Sequence, residues 1–314
     1  MQLQFNQHTW TWNSHWAQVP DNITLGYTHA VVVDRDGLVH VFNQSVHGVV
    51  RFNPDGSFAG TWEAFPSDRF VGAHGMTLVD HDGQQFLWLT DQRSAEVVRT
   101  TLDGRTVQTI GRPTAGPYAD GDADYAPTWV AQNPDAGEIF VADGYGSGYI
   151  NVYDRDGRYV DSMTGENGAG RFNCPHGVWI GRRTEATGCS DPVLYVTDRG
   201  NGRVQVYSLS GSFIKSFEQQ HPCCFAEGPG GELLVPDLHA FINLYDQADN
   251  PIATHLGDNR GIVGQHGWPN VPHEMREAGK FNSPHGGTFD ADGNIYIVEW
   301  IEDGRITKLE KTSA

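Results

Sequence analysis

Residues 175–207, which read PHGVWIGRRTEATGCSDPVLYVTDRGNGRVQVY, contain the pattern that decides the fold. A histidine and a glycine open the segment, and an apolar run over 193–197 ends in Asp198. A glycine-rich turn then leads into an alternating run over 203–207. Apolar runs bounded by glycine turns are typical of short β-strands. The segment therefore predicts antiparallel strands joined by tight turns.

The same order of turns and strands recurs along the whole chain. Glycine-containing turns precede equivalent apolar runs at residues 36–37, 82–83, 136–137, 230–231 and 292–293. Each repeat contains about four strands, and radial repetition of four-stranded antiparallel units makes a β-propeller. A β-sandwich or a two-domain chain would not give so regular a register.

We therefore predict an all-β, six-bladed β-propeller that forms a single domain over residues 1–314. The last repeat has room for only three strands, so we expect the N-terminal strand to join it and to remove an exposed edge. The predicted blades are residues 28–62, 73–112, 127–164, 175–217, 222–256, and 284–311 together with 1–12.

Composition limits the classes of partner. The formal net charge is −18, which disfavours nucleic acid and anionic membrane, because both would be repelled. The four cysteines show no paired spacing, so neither a disulfide framework nor a zinc ribbon is expected. No secretory signal and no membrane-spanning run is visible, which favours a cytoplasmic protein. No pattern indicates an oligomeric state.

Three histidines occupy the same point of alternate repeats: His74, His176 and His285. Alternate blades of a six-fold ring lie about 120° apart, so three such imidazoles can converge and leave a further position open. This arrangement predicts a catalytic metal centre with zinc or another divalent transition metal. The alternative is that the imidazoles only form hydrogen bonds with one another and with water. We expect the glycine after each histidine to keep bulk away from the ion.

Two further residues share that register. His29 lies in the first repeat and is an extra ligand, a proton relay or a spectator. Cys223 lies in the fifth repeat and is either a thiolate ligand or a buried, inert side chain.

The motifs resemble a known family. The stretch 165–177 (GENGAGRFNCPHG) and the stretch 194–206 (LYVTDRGNGRVQV) resemble the NHL repeat. Within NHL propellers, the closer likeness is to the peptidylglycine α-amidating lyase domain. That resemblance implies a six-bladed propeller in which three histidines hold zinc. It also implies cleavage of the C–N bond of a hydroxyglycine to release an amide and glyoxylate.

The resemblance assigns roles to two further residues. Asp143-Gly144-Tyr145 is similar to the family's Asp-Gly-Tyr, which implies that Tyr145 is the general base. Residues 198–203 (DRGNGR) are similar to its Asp-Arg-Glu-Asn-Gly-Arg, which implies that Arg199 lines the substrate pocket. A tyrosine beside a cation loses its proton more easily, and a guanidinium suits a carboxylate or an oxyanion. Packing of Tyr145 between blades and an ion pair of Arg199 are the alternatives.

Two positions depart from the family's pattern. Gln44 stands where the family has a second pocket arginine, and Gly286 stands where it has an aspartate that binds a structural calcium. Calcium therefore lacks this ligand here. We predict a relative with a different substrate.

Other residues are predicted around the site. Strand-ending Asp91, Asp143, Asp198 and Asp237 are interpreted as structural features of the repeat. The loop over 257–280 is long enough to wall a pocket or act as a lid. The predicted substrate contacts are His29, Gln44, His239, His273 and Glu299.

These residues predict a metal-dependent lyase that acts on a small hydroxylated substrate. In it, Tyr145 is the general base and Arg199 is the anion clamp. One alternative is a hydrolase that uses metal-bound water at the same site. The other is a non-catalytic NHL scaffold that binds protein.

Overall fold

The structure, a computed structural model, describes residues 2–5, 8–62 and 71–312. Its strands form five four-stranded antiparallel sheets and one five-stranded sheet. The chain divides into two compact units: unit 1 is residues 1–62 with 223–314, and unit 2 is residues 63–222. Three sheets lie in each unit. The fold class is a six-bladed β-propeller, which confirms the prediction.

Blade 1 belongs to unit 1 and follows an N-terminal hairpin. The hairpin consists of β1 (Gln2–Phe5) and β2 (His8–Asn13). Blade 1 consists of β3 (Thr28–Val33), β4 (Val39–Asn43), β5 (Val49–Phe52) and β6 (Phe58–Thr61).

Unit 2 contains blades 2, 3 and 4. Blade 2 consists of β7 (Ala73–His81), β8 (Gln84–Asp91), β9 (Glu96–Thr101) and β10 (Thr106–Ile110). Blade 3 consists of β11 (Trp129–Gln132), β12 (Ile139–Ala142), β13 (Ile150–Tyr153) and β14 (Tyr159–Met163). Blade 4 consists of β15 (Pro175–Gly181), β16 (Val193–Asp198), β17 (Arg203–Ser208) and β18 (Phe213–Glu218).

Blades 5 and 6 complete unit 1. Blade 5 consists of β19 (Ala226–Glu227), β20 (Leu233–Asp237), β21 (Phe241–Tyr245) and β22 (Pro251–Leu256). Blade 6 contains β23 (Pro284–Phe289), β24 (Ile295–Glu299) and β25 (Arg305–Lys311). The helices are short: α1 (Thr184–Thr187) and 3-10 turns at Gly116–Tyr118, Arg199–Asn201, Arg260–Ile262 and His273–Met275.

The N-terminal segment contributes two strands to blade 6 rather than one. Strand β2 pairs antiparallel with β25 and supplies the expected fourth strand, and β1 pairs with β2 as a fifth. The predicted closing segment 1–12 includes residues 1, 6 and 7, which lie outside the described residues. Trp10 and Trp12 of β2 are buried in a core shared with blades 5 and 6. The hairpin is therefore part of the hydrophobic core of unit 1.

The second strand is fully buried in five of the six blades. All side chains of β4, β12, β16, β20 and β24 are buried, whereas β14 and β18 near the outside are partly exposed. Strands buried on both faces read as continuous apolar runs, which is the pattern that the sequence shows for them. In the described chain, no helix is both long and apolar enough to cross a membrane. The cytoplasmic location stays a prediction.

Candidate metal and catalytic site

A local irregularity of the first strand marks each predicted histidine position. The pairing of β7 with β8 shifts register between Ala73 and Met76, around His74. The same shift occurs in β15 around His176 and in β23 beside His285. Bulges of this kind re-aim a side chain and are common next to active sites. Strand β3 has the shift at His29, whereas the described pairing of β11 in blade 3 has none.

Backbone packing requires the glycines that follow His74 and His285. A Cβ added at Gly75 would lie 2.5 Å from the carbonyl oxygen of Thr128, and one at Gly286 would lie 2.5 Å from that of His29. Both distances are far below van der Waals contact, so the neighbouring blade of the same unit leaves room only for hydrogen. This close approach of two backbones is a requirement separate from the expectation that the glycines keep bulk away from an ion, which stays a prediction.

The same backbone carbonyls orient the imidazoles. Nδ1 of His74 lies 2.7 Å from the oxygen of Thr128, and Nδ1 of His285 lies 2.8 Å from the oxygen of His29. Because a carbonyl oxygen only accepts, each Nδ1 carries the proton, and Nε2 of the neutral ring keeps its lone pair. Metal-binding histidines characteristically donate their other ring N–H to a backbone carbonyl or a carboxylate.

Within unit 2, His74 and His176 present their Nε2 atoms to each other. The two atoms are 3.1 Å apart, and both side chains are buried. Two nitrogens bound to one tetrahedral zinc at about 2.0–2.1 Å would be about 3.3 Å apart. The observed spacing and the donor type therefore fit two ligands of one metal ion.

Tyr145 completes this cluster. Its hydroxyl lies 3.2 Å from Nε2 of His74 and 3.2 Å from Nε2 of His176. The residue is 40% exposed, whereas both histidines are buried. Trp129 borders both imidazoles, with ring centroids 6.3 and 6.4 Å away.

The loop that carries Tyr145 is fixed by Asp143. The buried carboxylate accepts hydrogen bonds from the Ala126 and Ser147 amides, at 2.7 and 2.8 Å, and from the Tyr118 hydroxyl at 2.7 Å. Burial raises the pKa of Asp143 to about 6, although these hydrogen bonds oppose the shift. Its contacts are those of a structural residue, as interpreted from the sequence.

Arg199 lies against Tyr145. Its NH2 atom is 3.1 Å from the Tyr145 hydroxyl and 3.3 Å from Sγ of Cys174, and its guanidinium carbon is 5.3 Å from the centre of the tyrosine ring. Arg203, four residues on, instead binds Asp198, with Nε 2.6 Å from Oδ2. Unit 2 thus brings together four predicted site residues: His74, His176, Tyr145 and Arg199.

Unit 1 brings His29 and His285 together. Their ring centroids are 4.6 Å apart, and both side chains are buried. Cys223 is buried, and its thiol donates to the carbonyl of Pro284 at 3.7 Å. The neighbouring Cys224 donates to the carbonyl of His285 at 3.4 Å, and burial raises the pKa of its thiol to about 12.

The remaining predicted substrate contacts occupy different settings in unit 1. The Glu299 carboxylate is fully buried, accepts from the Asn282 and Ser283 amides at 2.6 and 3.1 Å, and pairs with Arg305. This is the structural arrangement that Asp198 has in its own blade. The other three, Gln44, His239 and His273, are at least partly exposed. The backbone N–H of Gln44 donates to the Tyr27 carbonyl, and the His239 ring lies 6.4 Å from the Trp268 ring.

Three further residues of unit 2 support the site in roles that the sequence did not predict. Thr128 supplies the carbonyl that fixes His74, and Tyr118 holds the Asp143 loop. Cys174 has φ +53°, an uncommon backbone conformation for a residue with a side chain, and contacts Arg199. Only the register of Thr128 with the histidines was a usable signal.

The fold defines the chain as a six-bladed β-propeller, and its repeats resemble the NHL repeat. No protein-family model matches it. It is similar to NHL repeat-containing protein 3 of Mus musculus, with 28% identity over 223 residues, which are 68% of this chain and 60% of that protein. It is also similar to peptidyl-alpha-hydroxyglycine alpha-amidating lyase 1 of Drosophila melanogaster, with 24% identity over 93% of this chain and 58% of that protein.

The chain thus spans about 60% of the length of these two curated relatives. Among solved structures, a streptogramin B lyase shares the fold, with a TM-score of 0.58 at 14% identity over 96% of this chain and 98% of that one.

Proposed function

We propose that this protein is a metal-dependent lyase that acts on a small hydroxylated substrate. One observation carries the proposal: the Tyr145 hydroxyl lies 3.1–3.2 Å from Nε2 of His74, Nε2 of His176 and NH2 of Arg199. A proton-transfer group, two metal-type donors and a fixed positive charge thus meet at a single oxygen.

The proposed metal ligands are His74, His176 and His285. His285 is included because it has the same strand register, the same following glycine and the same Nδ1-to-carbonyl bond as His74. Zinc or another divalent transition metal suits three neutral imidazoles, and when bound it would supply Lewis-acid polarisation of a substrate oxygen.

The chain's own residues would carry the proton and the negative charge. Tyr145 Oη would take the proton of a substrate hydroxyl. As the hydroxylated carbon becomes a carbonyl, its bond to the leaving group breaks, and the leaving group recovers the proton. Arg199 would hold the negative charge of a substrate carboxylate or of a developing oxyanion beside the phenol.

The relatives support a lyase and allow a different substrate. The Drosophila relative is named for action on a peptidyl-alpha-hydroxyglycine, and its similarity extends over 93% of this chain. Gln44 and Gly286 depart from the pattern of that family. We therefore propose an α-hydroxylated compound other than a peptidyl hydroxyglycine and expect weak or no turnover of α-hydroxyhippurate.

Metal analysis tests the ligand set without any substrate. Protein prepared without added ions should contain close to one divalent transition metal per chain. His74→Ala and His176→Ala should each lose the metal while keeping the β-rich circular dichroism spectrum. His81→Ala is the matched control, because His81 is exposed at the far end of the same strand as His74. Metal retention in both ligand variants would refute the proposed centre.

A non-catalytic scaffold is the second candidate, and the similarity to NHL repeat-containing protein 3 favours it. A scaffold needs no metal and no Tyr145. Absence of bound metal, together with no turnover of any α-hydroxylated compound, would favour it over the lyase. Turnover of an ester or lactone with the metal present would instead indicate the hydrolase.

A further inference from the structure

A second concavity lies in unit 1. It has a volume of about 460 Å³. Three segments line it: the connection between β2 and β3, the loop around the His273–Met275 turn, and the turn between β24 and β25. None of the proposed metal ligands, Tyr145 or Arg199 lines it. This volume is in the range of sites for small molecules.

One wall of the pocket is apolar and firmly supported. Ala17, Val19 and Ile23 line it and pack against a buried cluster that includes Leu25 and Ile306, which line it too. Because the cluster behind this wall contains Trp16 and Phe52, the wall is backed by core residues of blade 1. Such a surface favours a hydrocarbon body in the ligand.

The other wall carries Arg276. Its side chain is only 10% exposed. Nε lies 3.3 Å from the Val271 carbonyl, and NH1 lies 3.0 Å from Oδ1 of Asp303. Among the described residues, none accepts a hydrogen bond from NH2 of Arg276. The guanidinium is therefore held in place with donors to spare, which is the state that binds a carboxylate well.

The charge balance of the lining is unusual for this chain. The whole chain has a net charge of −18, yet two arginines, Arg276 and Arg305, line the pocket against a single lining carboxylate, Asp303. The Asp303 side chain is 63% exposed, so water screens its charge. Glu299 offsets Arg305. Each arginine of the lining thus has one carboxylate partner, and an anion is favoured at Arg276 because that partner is exposed and NH2 is left to donate.

We propose that this pocket binds a small monocarboxylic acid with an apolar body, aliphatic or aromatic. The hydrocarbon part would lie on the wall formed by Ala17, Val19 and Ile23, and the carboxylate would bind Arg276. His273, which the sequence suggested as a contact of the lyase substrate, is assigned to this pocket. The site is independent of the proposed lyase activity, because it shares no residue with the metal cluster.

Calorimetric titration of the full chain with 4-phenylbutyrate tests the proposal, with the neutral 4-phenylbutanol as the second ligand. The acid should bind saturably with one equivalent, and the alcohol should bind at least about tenfold more weakly, since a hydrogen bond to a charged group is lost. Arg276→Gln should weaken binding of the acid by a similar factor. Arg260→Gln, in the same long loop but outside the pocket, should leave it unchanged.

A second variant keeps the test decisive if Arg276→Gln does not fold. Ala278 lines the pocket from an exposed position, so Ala278→Trp should fill the space without disturbing the core. It should abolish binding with the charge intact. The proposal is overturned by equal affinity for the acid and the alcohol, by wild-type affinity in Ala278→Trp, or by the lack of saturable binding to the wild type. None of these outcomes bears on the metal centre.

Discussion

Tyr145 is the residue on which the proposed chemistry depends. Its hydroxyl contacts two imidazole nitrogens and one guanidinium, so it is held in place before a substrate arrives. The pre-positioning of a proton-transfer group is a large part of what an enzyme site contributes.

Tyr145→Phe removes the hydroxyl and keeps the ring. The metal content should stay at the wild-type value, because the histidines are unchanged. Turnover of any hydroxylated substrate should fall by about 10²–10⁴-fold, the usual contribution of a general acid–base group. Metal analysis and steady-state rates on the same preparations check both statements. Equal rates in the two proteins would remove Tyr145 from the mechanism.

Gly75→Ala tests the close backbone approach beside His74. The added methyl group would lie 2.5 Å from the Thr128 carbonyl and 2.9 Å from Cα of Trp129, so backbone must move. We expect the free energy of unfolding to fall by about 2 kcal/mol. Gly111→Ala is the matched control in the same unit, because a Cβ there meets nothing within 4 Å. Chemical denaturation of the three proteins compares them, and equal losses in both variants would contradict the packing argument.

For single residues, the sequence predicted which positions belong to the site better than it predicted the contacts that orient them. The register of the histidines was readable because each recurs before glycine at the start of a repeat. The bulges and the Nδ1-to-carbonyl bonds were not readable, since both depend on the backbone of the adjacent strand. Cys174, which contacts Arg199, has a positive φ, and a cysteine gives no sequence signal for that conformation.

Among the elements, the loop after β12 shows how an ordinary turn becomes a rigid support. Three hydrogen bonds to the Asp143 carboxylate tie the Tyr145 loop to the 116–118 turn and to Ala126. Gly144 and Gly146 allow this, because a Cβ at either would lie 2.6 Å or less from neighbouring atoms.

The raised pKa of Asp143 predicts a pH dependence of stability. The folded chain holds the proton up to about pH 6, whereas an ordinary aspartate releases it near 3.8. The contribution is therefore fully present below pH 4 and is lost as the pH rises through 6. It amounts to about 3 kcal/mol. Asp143→Asn lacks this titration.

The stability of the wild type relative to Asp143→Asn should thus increase between pH 6.5 and pH 4. Denaturant unfolding of both proteins across this interval measures the difference. Parallel stability curves would show that Asp143 has an ordinary pKa in the folded chain.

The strands themselves were largely predictable from glycine turns and apolar runs. The short 3-10 turns and the extra strand β1 were not, because their formation depends on tertiary contacts rather than on local periodicity. The sequence pattern over 3–12 alternates and indicated one strand, whereas the structure divides this region between two.

At the scale of the whole molecule, the N-terminal hairpin covers the edge strand of blade 6 in unit 1. Strand β2 covers the edge of β25, and its two tryptophans fill a core between blades 5 and 6. An uncovered edge strand is a template for aggregation.

Removal of residues 2–13 should therefore lower the thermal midpoint markedly and promote aggregation, since two buried tryptophans and a strand pairing are lost. Removal of residues 2–5 alone deletes only the outermost strand and should have a much smaller effect. Thermal unfolding followed by light scattering distinguishes the two truncations. Similar midpoints for both would mean that β2 is dispensable.

The fold class was predictable at this scale because six similar repeats leave few alternatives. The carboxylic-acid pocket of unit 1 was not, since three segments far apart in the chain build it.

At His74 and at His285, a single carbonyl has two roles: it accepts the hydrogen bond from Nδ1, and it lies so close to the next residue that only glycine fits. We expect these two roles to constrain the sequences of related proteins differently. A related protein that no longer binds a metal can replace the histidine by another residue. It must keep the glycine beside it, because the neighbouring backbone leaves no room for a Cβ. Related propellers that have lost the catalytic activity should therefore still carry these glycines.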